Sequence, residues 1–429
     1  MKLAPTTTLL LTLLLGASPA LAQGSPGDSA DQISEEYAQR LGPPTELDEL
    51  IEYARENAPE ARRAEAEIGL GQAAREGAGR LSRYNPAVEG EFKPGLSDGT
   101  GFGVEVRLTQ QVEIFGERGL RREAASRQVQ RREAELARAR WEIESQVRRR
   151  YQKALVAREH VEVARQAVGF ADEMYEMAVE REELGEESRT SVVMARADTA
   201  GARQELIEAW SDYMAALREL SEAAGWREDV PPQPVGEPPQ VSALDEPARL
   251  VERAVENDPQ LALIEAERAE ARADRALAER SAWPDPLFGV GYESESPAVG
   301  DSEHVLLVIA GLELPFWDRN QGEVATTNAR ADILERAGED RKTTLKNRVF
   351  EHAETVENAR LKLRLYREQV LPAFEENLEL LSEGFELGEM DLTDVLTARD
   401  RLLDVQRAHL EALGDYVEAR SQLESLVGQ

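Results

Sequence analysis

The stretch Glu386-Leu387-Gly388-Glu389 repeats one found 203 positions earlier, Glu183-Leu184-Gly185-Glu186. The register then holds. Val395, Ala398-Arg399, Asp415-Tyr416 and Gly428 answer Val192, Ala195-Arg196, Asp212-Tyr213 and Gly225. Upstream, Asn257-x-Pro259 and Pro286 answer Asn57-x-Pro59 and Pro86, now 200 positions apart. A self-match sustained over roughly half the chain, with only small slips in offset, marks one unit written twice. Any fold for this chain has to set two like units side by side.

Ahead of the first unit, Met1-Lys2, the apolar run of residues 9–15 and Ala20-Leu21-Ala22 read as a secretory signal over residues 1–22, with Gln23 the expected first residue of the mature chain. That run is too short to anchor as a membrane helix, and no later run of about 20 apolar residues occurs. An exported chain without cysteine takes its stability from packing and assembly rather than from disulfides. Entry into a membrane would be as β-strands or through a partner. The balance of 83 Asp+Glu against 51 Lys+Arg, a net charge of −32, argues against nucleic acid, whose phosphates need a basic surface. It suits cation handling, a basic partner, or a solvated acidic surface in a saline habitat.

Residues 23–45, polar and without apolar period, read as a flexible arm. Repeat 1 spans residues 46–226. Leu47, Leu50, Ile51 and Ala54 share a helical face, and Asn57-Ala58-Pro59 interrupts or restarts that helix, because the residue before proline avoids helical dihedrals. After Asn85-Pro86 the period becomes two. A short run, 87–92, and a Gly/Pro/Asp loop lead to residues 102–112, where Val104, Val106 and Leu108 face away from Glu105, Arg107 and Thr109. Repeat 2, residues 246–429, does the same: Phe288, Val290 and Tyr292 alternate with glycines, a polar loop covers 293–303, and 304–314 returns. Each repeat supplies one hairpin, giving four strands per chain, too few to close a barrel.

A long helix follows each hairpin, over residues 117–183 and 320–386, roughly 100 Å at 1.5 Å per residue. Ile143, Val147, Tyr151 and Leu155, spaced by four, form one apolar stripe. Both helices stop at Leu-Gly-Glu, where glycine suits the left-handed turn that ends a helix. Return helices cover 188–224 and 392–427. In the second, Leu396, Leu403 and Leu410 recur every seven residues and Leu413 and Val417 continue the seam, as in a coiled coil. Between the repeats, residues 227–245 contain Pro231-Pro232, Pro234 and Pro238-Pro239, a semi-rigid linker. It leaves the repeats interdependent, since neither shows a core of its own.

The expected fold is therefore mainly α with a β portion: helix, hairpin, long helix, turn and return helix, twice over. Hairpins lie at one end and Leu-Gly turns at the other. Exposed hairpin edges are costly, and three chains side by side would bring together 12 strands, in the range of outer-membrane barrels. In this frame several segments resemble the TolC-like outer-membrane efflux proteins. They are the signal peptide, the duplication, Asn85-Pro86 before a strand, Leu108-x-Gln110-x-Val112-Glu113-Ile114-Phe115-Gly116-Glu117-Arg118, Leu312-x-Leu314-Pro315-Phe316-Trp317-Asp318-Arg319, and Gly388 to Leu410. The resemblance covers about residues 46–428, and the segment from Gln110 to Arg118 is most similar to the branch serving heavy-metal (cobalt-zinc-cadmium or copper) resistance.

That resemblance implies a homotrimer: a 12-stranded barrel in outer-membrane lipid above an α-helical coiled-coil tunnel through the periplasm. It would conduct cargo passively from a periplasmic adaptor and an inner-membrane pump of the RND type, heavy-metal cations being favoured over drugs or secreted polypeptides. Leu184-Gly185 and Leu387-Gly388 become the adaptor-docking tips, and Phe115-Gly116 and Pro315-Phe316 stand at the strand-to-helix junctions. Asp394 falls where the family carries an inward acidic ring, and Asp391 lies nearby. The matching residue in repeat 1 is Ser191, and the second acidic position of the ring is Thr397. Asp394 reads equally as ordinary first-turn helix charge.

Catalytic chemistry is not legible. His160, His304, His352 and His409 lack the spacing of a helical metal site. Glu351-His352 with Glu354 suits a solvated helix face, and Met174 and Met177 serve as core fillers. No phosphate loop, nucleophile elbow or zinc-protease motif is present, so no enzyme, cofactor or resident metal is expected. The reading from a different class is a soluble periplasmic coiled-coil scaffold, which would have no use for the alternation at 102–112 or the apolar run 305–314.

Overall fold

The computed structural model describes residues 30–94, 101–296 and 301–428. The expected signal, residues 23–29 of the arm and the middles of both hairpin loops lie outside them.

Most of the chain is helix. In repeat 1, α2 (Leu47–Asn57) and α3 (Pro59–Ala78) meet at Ala58, and α3 restarts on Pro59, whose missing N–H is no loss in a first turn. The hairpin β2 (Ala87–Pro94) and β3 (Phe102–Gln111) follows, then α4 (Glu117–Leu184), 68 residues without a break, and α5 (Arg189–Ala224). Repeat 2 has α6 (Pro247–Asn257), α7 (Pro259–Arg280), β5 (Leu287–Ser296), β6 (Glu303–Gly311), α8 (Gln321–Leu365), α9 (Leu371–Glu386) and α10 (Leu392–Val427).

The residues that recur in both repeats touch one another. Gly225 ends α5 at φ 63°, and a Cβ there would lie 2.8 Å from the Cα of Ala58, in the corner between α2 and α3. Gly428 ends α10 at φ 85° and would place a Cβ 3.0 Å from that of Asn257. Each return helix thus closes its repeat by abutting that repeat's own Asn-x-Pro corner, and only glycine combines the left-handed turn with the close approach.

Several expectations change. The arm read as flexible carries α1 (Ala30–Ala38) and β1 (Pro44–Thr45). Its composition is polar, but Ile33 is buried among α4 and α5 side chains and Tyr37 stacks on Trp210 at 5.3 Å, so tertiary packing holds a helix too short to persist alone. The proline-rich linker is pinned as well: β4 (Gln233–Pro234) pairs in parallel with β1, and the Tyr151 hydroxyl sits 3.0 Å from the Thr45 carbonyl and 2.8 Å from that of Val235. Finally, the second long helix is not uniform. Between α8 and α9 a π turn spans Tyr366–Val370, with the Leu371 N–H bonded to the Tyr366 carbonyl. Pro372 follows; it cannot donate, and its ring would crowd the carbonyl four residues back, so the helix widens there.

Four strands form one sheet in the order β2-β3-β5-β6, all antiparallel, and the β3–β5 ladder joins the repeats over ten residues from Phe102↔Ser296 to Gln111↔Leu287. β6 stops at Gly311 rather than continuing to residue 314 because its partner begins at Leu287, just after Pro286. The sheet is open, with β2 and β6 as free edges among the described residues.

Packing in the helical part is both within and between repeats. One cluster, holding Leu50, Ala54, Ile143, Val147, Tyr151, Leu155 and Leu220, draws on repeat 1 alone, and a second adds the arm to it. Repeat 1 therefore has core of its own, contrary to expectation: α2 and the arm, folded back on α4 and α5, supply the missing layer. The other clusters cross the repeats. Val156 of α4 joins Val349, Val356, Tyr416 and Val417, and near the turns Met174, Ala178 and Ala195 pack with Phe385, Leu392, Val395 and Leu396.

Candidate functional site

The sheet separates two chemistries by face. One face carries Val88, Phe92, Phe102, Val104, Val106, Leu108, Phe288, Val290, Tyr292, Leu306 and Val308, all exposed. The register sets them in rows, such as Val88–Leu108–Val290–Val308. The other face of β2, β3 and β5 carries Glu89, Glu91, Lys93, Glu105, Arg107, Glu293 and Glu295. An exposed apolar sheet face of this extent calls for a non-aqueous partner, and the alternation matches a wall with lipid outside and water inside. β6 departs from it, with Val305, Leu307 and Ile309 on the charged face and Leu307 lying over Gly291.

Where strands give way to helices, aromatic side chains gather in the open. Phe115, Trp283, Phe316 and Trp317 are exposed, Trp317 by 89%, and the rings of Phe316 and Trp317 meet edge to face at 6.0 Å. The junction beneath is ordered by charge. Gly116 turns at φ 93°, the Phe115 N–H donates to Glu117 at 3.1 Å, and Glu117, buried, pairs with Arg280 at 2.6 Å. Arg280 also donates to the Phe115 carbonyl at 2.7 Å and lies over the Phe115 ring at 4.6 Å. In repeat 2 the corresponding turn uses Asn320 at φ 58° after Pro315-Phe316. Such an aromatic band at a sheet's rim is the side-chain pattern of a membrane–water interface.

At the opposite end of the long helices lie the two Leu-Gly turns. Gly185 and Gly388 have φ of 78° and 76°, and the Glu186 and Glu389 N–H groups reach back to the Arg181 and Gly384 carbonyls at 2.9 and 2.8 Å. That left-handed closure satisfies the last carbonyls of each helix. Leu184 and Leu387 are left 68% and 76% exposed, with Met390 also exposed. α5 starts on a capped turn: Ser188 accepts from the Ser191 N–H, and the Ser191 hydroxyl donates to Glu187 at 2.7 Å. Hydrogen bonds from the Ser191 hydroxyl and the Ser188 N–H hold the Glu187 carboxyl below its usual range. Asp391 and Asp394 are exposed at the start of α10, and Asp391 caps it without a side-chain hydrogen bond. Thr397 turns its hydroxyl back on the Thr393 carbonyl at 2.7 Å.

Sequence reasoning missed how the two turns are joined. Arg181 of α4 donates to the Phe385 carbonyl, and Arg399 of α10 pairs with Asp198 of α5. Arg399 is buried, and burial pushes the Asp198 carboxyl up although the Arg399 guanidinium pulls it down. The position matching Arg181 is Gly384 and that matching Asp198 is Arg401, so the duplication gave no sign of either contact. Glu351 and Glu354 are exposed on α8, and Met174 is buried in the cluster behind the turns. Among the described residues no group of three His, Asp or Glu side chains is placed to hold a metal ion, and no helix is long and apolar enough to cross a membrane.

Two segments, residues 50–226 and 250–429, match the family described as outer membrane efflux protein. The gap between them is the linker with the start of α6. The cobalt-zinc-cadmium resistance protein CzcC of Cupriavidus metallidurans is 27% identical over 323 residues, covering 74% of this chain and 75% of that protein. Among solved structures, CusC superposes with a TM-score of 0.69 at 16% identity over 89% of this chain and 91% of its own. The outer membrane protein VceC of Vibrio cholerae gives 0.64 at 17% identity, over 93% and 98%. At such identities the superpositions speak to the fold alone. With all but the first four residues of each repeat inside the matched segments, this chain belongs to the outer membrane efflux protein family.

Proposed function

We propose that three copies close their sheets into a 12-stranded barrel in the outer membrane, and that α4, α5 and α8 to α10 of each wall a tunnel into the periplasm. The assembly is the passive exit duct of a tripartite efflux system for heavy-metal cations. The observation that carries this reading is the open four-stranded sheet, apolar on one face and charged on the other, fused to helices roughly 100 Å long. Twelve such strands meet the size of outer-membrane barrels, and closure removes both free edges. A soluble scaffold would leave that apolar face in water.

Leu184-Gly185 and Leu387-Gly388 dock a periplasmic adaptor, which couples the duct to an inner-membrane pump of the RND type. Asp391 and Asp394 stand at the entrance beside these tips. Passage needs no bond made or broken, so the duct is not an enzyme and holds no cofactor; the driving energy comes from the pump. The metal cargo rests on the likeness to CzcC, a cobalt-zinc-cadmium resistance protein. Deleting the gene from its host is expected to lower tolerance to cobalt, zinc or cadmium and the intact gene to restore it. Unchanged metal tolerance with raised drug sensitivity would overturn the cargo class while leaving the duct.

A further inference from the structure

Several contacts that join repeat 1 to repeat 2 are made once within the chain, and the surfaces able to make them a second time lie open. The two hairpins match pair for pair. Ala87↔Thr109 in the first answers Leu287↔Gly311 in the second, so β2 maps onto β5 200 positions on and β3 onto β6 202 positions on. In the β3–β5 ladder Val106 lies opposite Tyr292, and Thr109 opposite Gly289. The residues that answer these are Val308 with Phe92 and Gly311 with Glu89, and they stand on the two free edges of the sheet. Val308 and Phe92 are exposed on the same apolar face.

The helices repeat the pattern. Arg280 pairs with Glu117 at 2.6 Å, donates to the Phe115 carbonyl at 2.7 Å and lies over the Phe115 ring. The counterparts of these three residues are Arg80, Asp318 and Phe316. All are exposed, and neither Arg80 nor Asp318 has an ion pair among the described residues. Further along, Arg131 of α4 pairs with Glu270 of α7 at 2.7 Å. At the same offsets of 202 and 200 stand Ile333 and Leu70, 65% and 60% exposed. Where the chain joins its own repeats with an ion pair, its outer edges carry two matched apolar side chains in water.

We infer that the repeat 2 edge of one chain seats the repeat 1 edge of the next by copying the contacts between repeats. β6 pairs antiparallel with the neighbouring β2, Val308 lying opposite Phe92 of the partner subunit. Arg80 of the partner subunit completes the junction at Asp318 and Phe316, and Leu70 of the partner subunit covers Ile333. The inference rests on the trimeric duct proposed above and supplies its register. A head-to-tail contact of this kind closes into a ring when its rotation allows, and repeats 1 and 2 then alternate around the barrel. The strand and helix contacts fix one another. A slip of one residue turns Phe92 to the charged face, and a slip of two keeps the faces but moves Arg80 about 7 Å from Asp318.

The chain has no cysteine, so engineered pairs report the register without background. Oxidation of detergent-extracted protein carrying Phe92→Cys with Val308→Cys is expected to link three chains covalently on a non-reducing gel. Gly90→Cys with Val308→Cys, one step out of register on the same face, is expected to link several-fold less. Arg80→Asp is expected to lower by several degrees the temperature at which the particle falls to single chains, and Asp318→Arg added to it to recover part of that loss. Arg83→Asp, exposed on the same corner and also without an ion pair among the described residues, is expected to match wild type. Particles of three chains in which the Phe92–Val308 pair stays unlinked, or links less than the slipped pair, would overturn the register and leave the duct standing. No recovery on adding Asp318→Arg would overturn the Arg80 contact. Wild type extracted as single chains would overturn the duct and the pairing with it.

Discussion

Arg181, near the end of α4, donates its guanidinium to the carbonyl of Phe385, near the end of α9, and lies over that residue's ring at 4.7 Å. Phe385 is wholly buried and centres the cluster that includes Met174, Ala178, Leu392 and Val395. The two Leu-Gly turns of one chain are therefore one body, tied by a contact made once, from repeat 1 to repeat 2. Arg181→Met keeps the apolar stem and removes both the charged hydrogen bond and the ring contact, a loss of about 2 kcal/mol. Amides of residues 182–190 and 384–391 are expected to exchange hydrogen faster while the sheet stays protected. Unaltered exchange at both turns would show that the tie is not energetic.

The pair of Asp198 and Arg399 gives a pH-dependent outcome. Asp198 already sits above the usual aspartate range because burial outweighs Arg399, and removing Arg399 raises it further. A carboxyl raised in the folded state favours that state at low pH and loses the advantage as pH rises through its folded value. Arg399→Met is thus expected to cost about 3 kcal/mol near neutral pH, as for a broken buried pair, and less as the solution is acidified toward the raised value. Thermal unfolding of the detergent-solubilised protein across pH checks it. A penalty that grows on acidification would contradict it.

The faces of the sheet make opposite predictions for one substitution. Arginine for Val106, on the apolar face, is expected to cost about 2–4 kcal/mol in the bilayer and to reduce the folded fraction in outer-membrane vesicles. Arginine for Glu89, on the charged face, is expected to leave insertion intact. Equal insertion of the two would mean that the faces have been assigned wrongly.

Leu184→Asp and Leu387→Asp alter exposed side chains at the turns and are expected to leave stability within about 0.5 kcal/mol of wild type. Cross-linking to the adaptor and metal tolerance are expected to fall together. Gly185→Ala instead strains a left-handed position by about 1 kcal/mol. Wild-type cross-linking in both aspartate variants would move the docking surface elsewhere.

Much of this was legible in the sequence because a duplication reports contacts as well as elements. Asn57-x-Pro59 and Gly225 recur as Asn257-x-Pro259 and Gly428 because each glycine packs on its own corner. The offset also carried a signal: Glu117-Arg118 answers Asp318-Arg319 at 201 and the turns match at 203, so the second long helix must hold extra residues. The π turn before Pro372, which carries one residue more than an α turn, takes up part of that excess. What duplication hides is asymmetry. Arg181 and the Asp198–Arg399 pair have no counterparts, and α1 depends on Trp210 and other residues far away in sequence. Alternation exposed the faces of β3 but not of β6, which is apolar on both sides.

The most direct test of the central claim is the mass of the particle extracted in mild detergent from the outer membrane, measured by light scattering with the detergent contribution subtracted. The account predicts three chains per particle, recovered from the outer-membrane fraction and resistant to dissociation until the sheet unfolds. A single chain recovered from the soluble periplasmic fraction would contradict it.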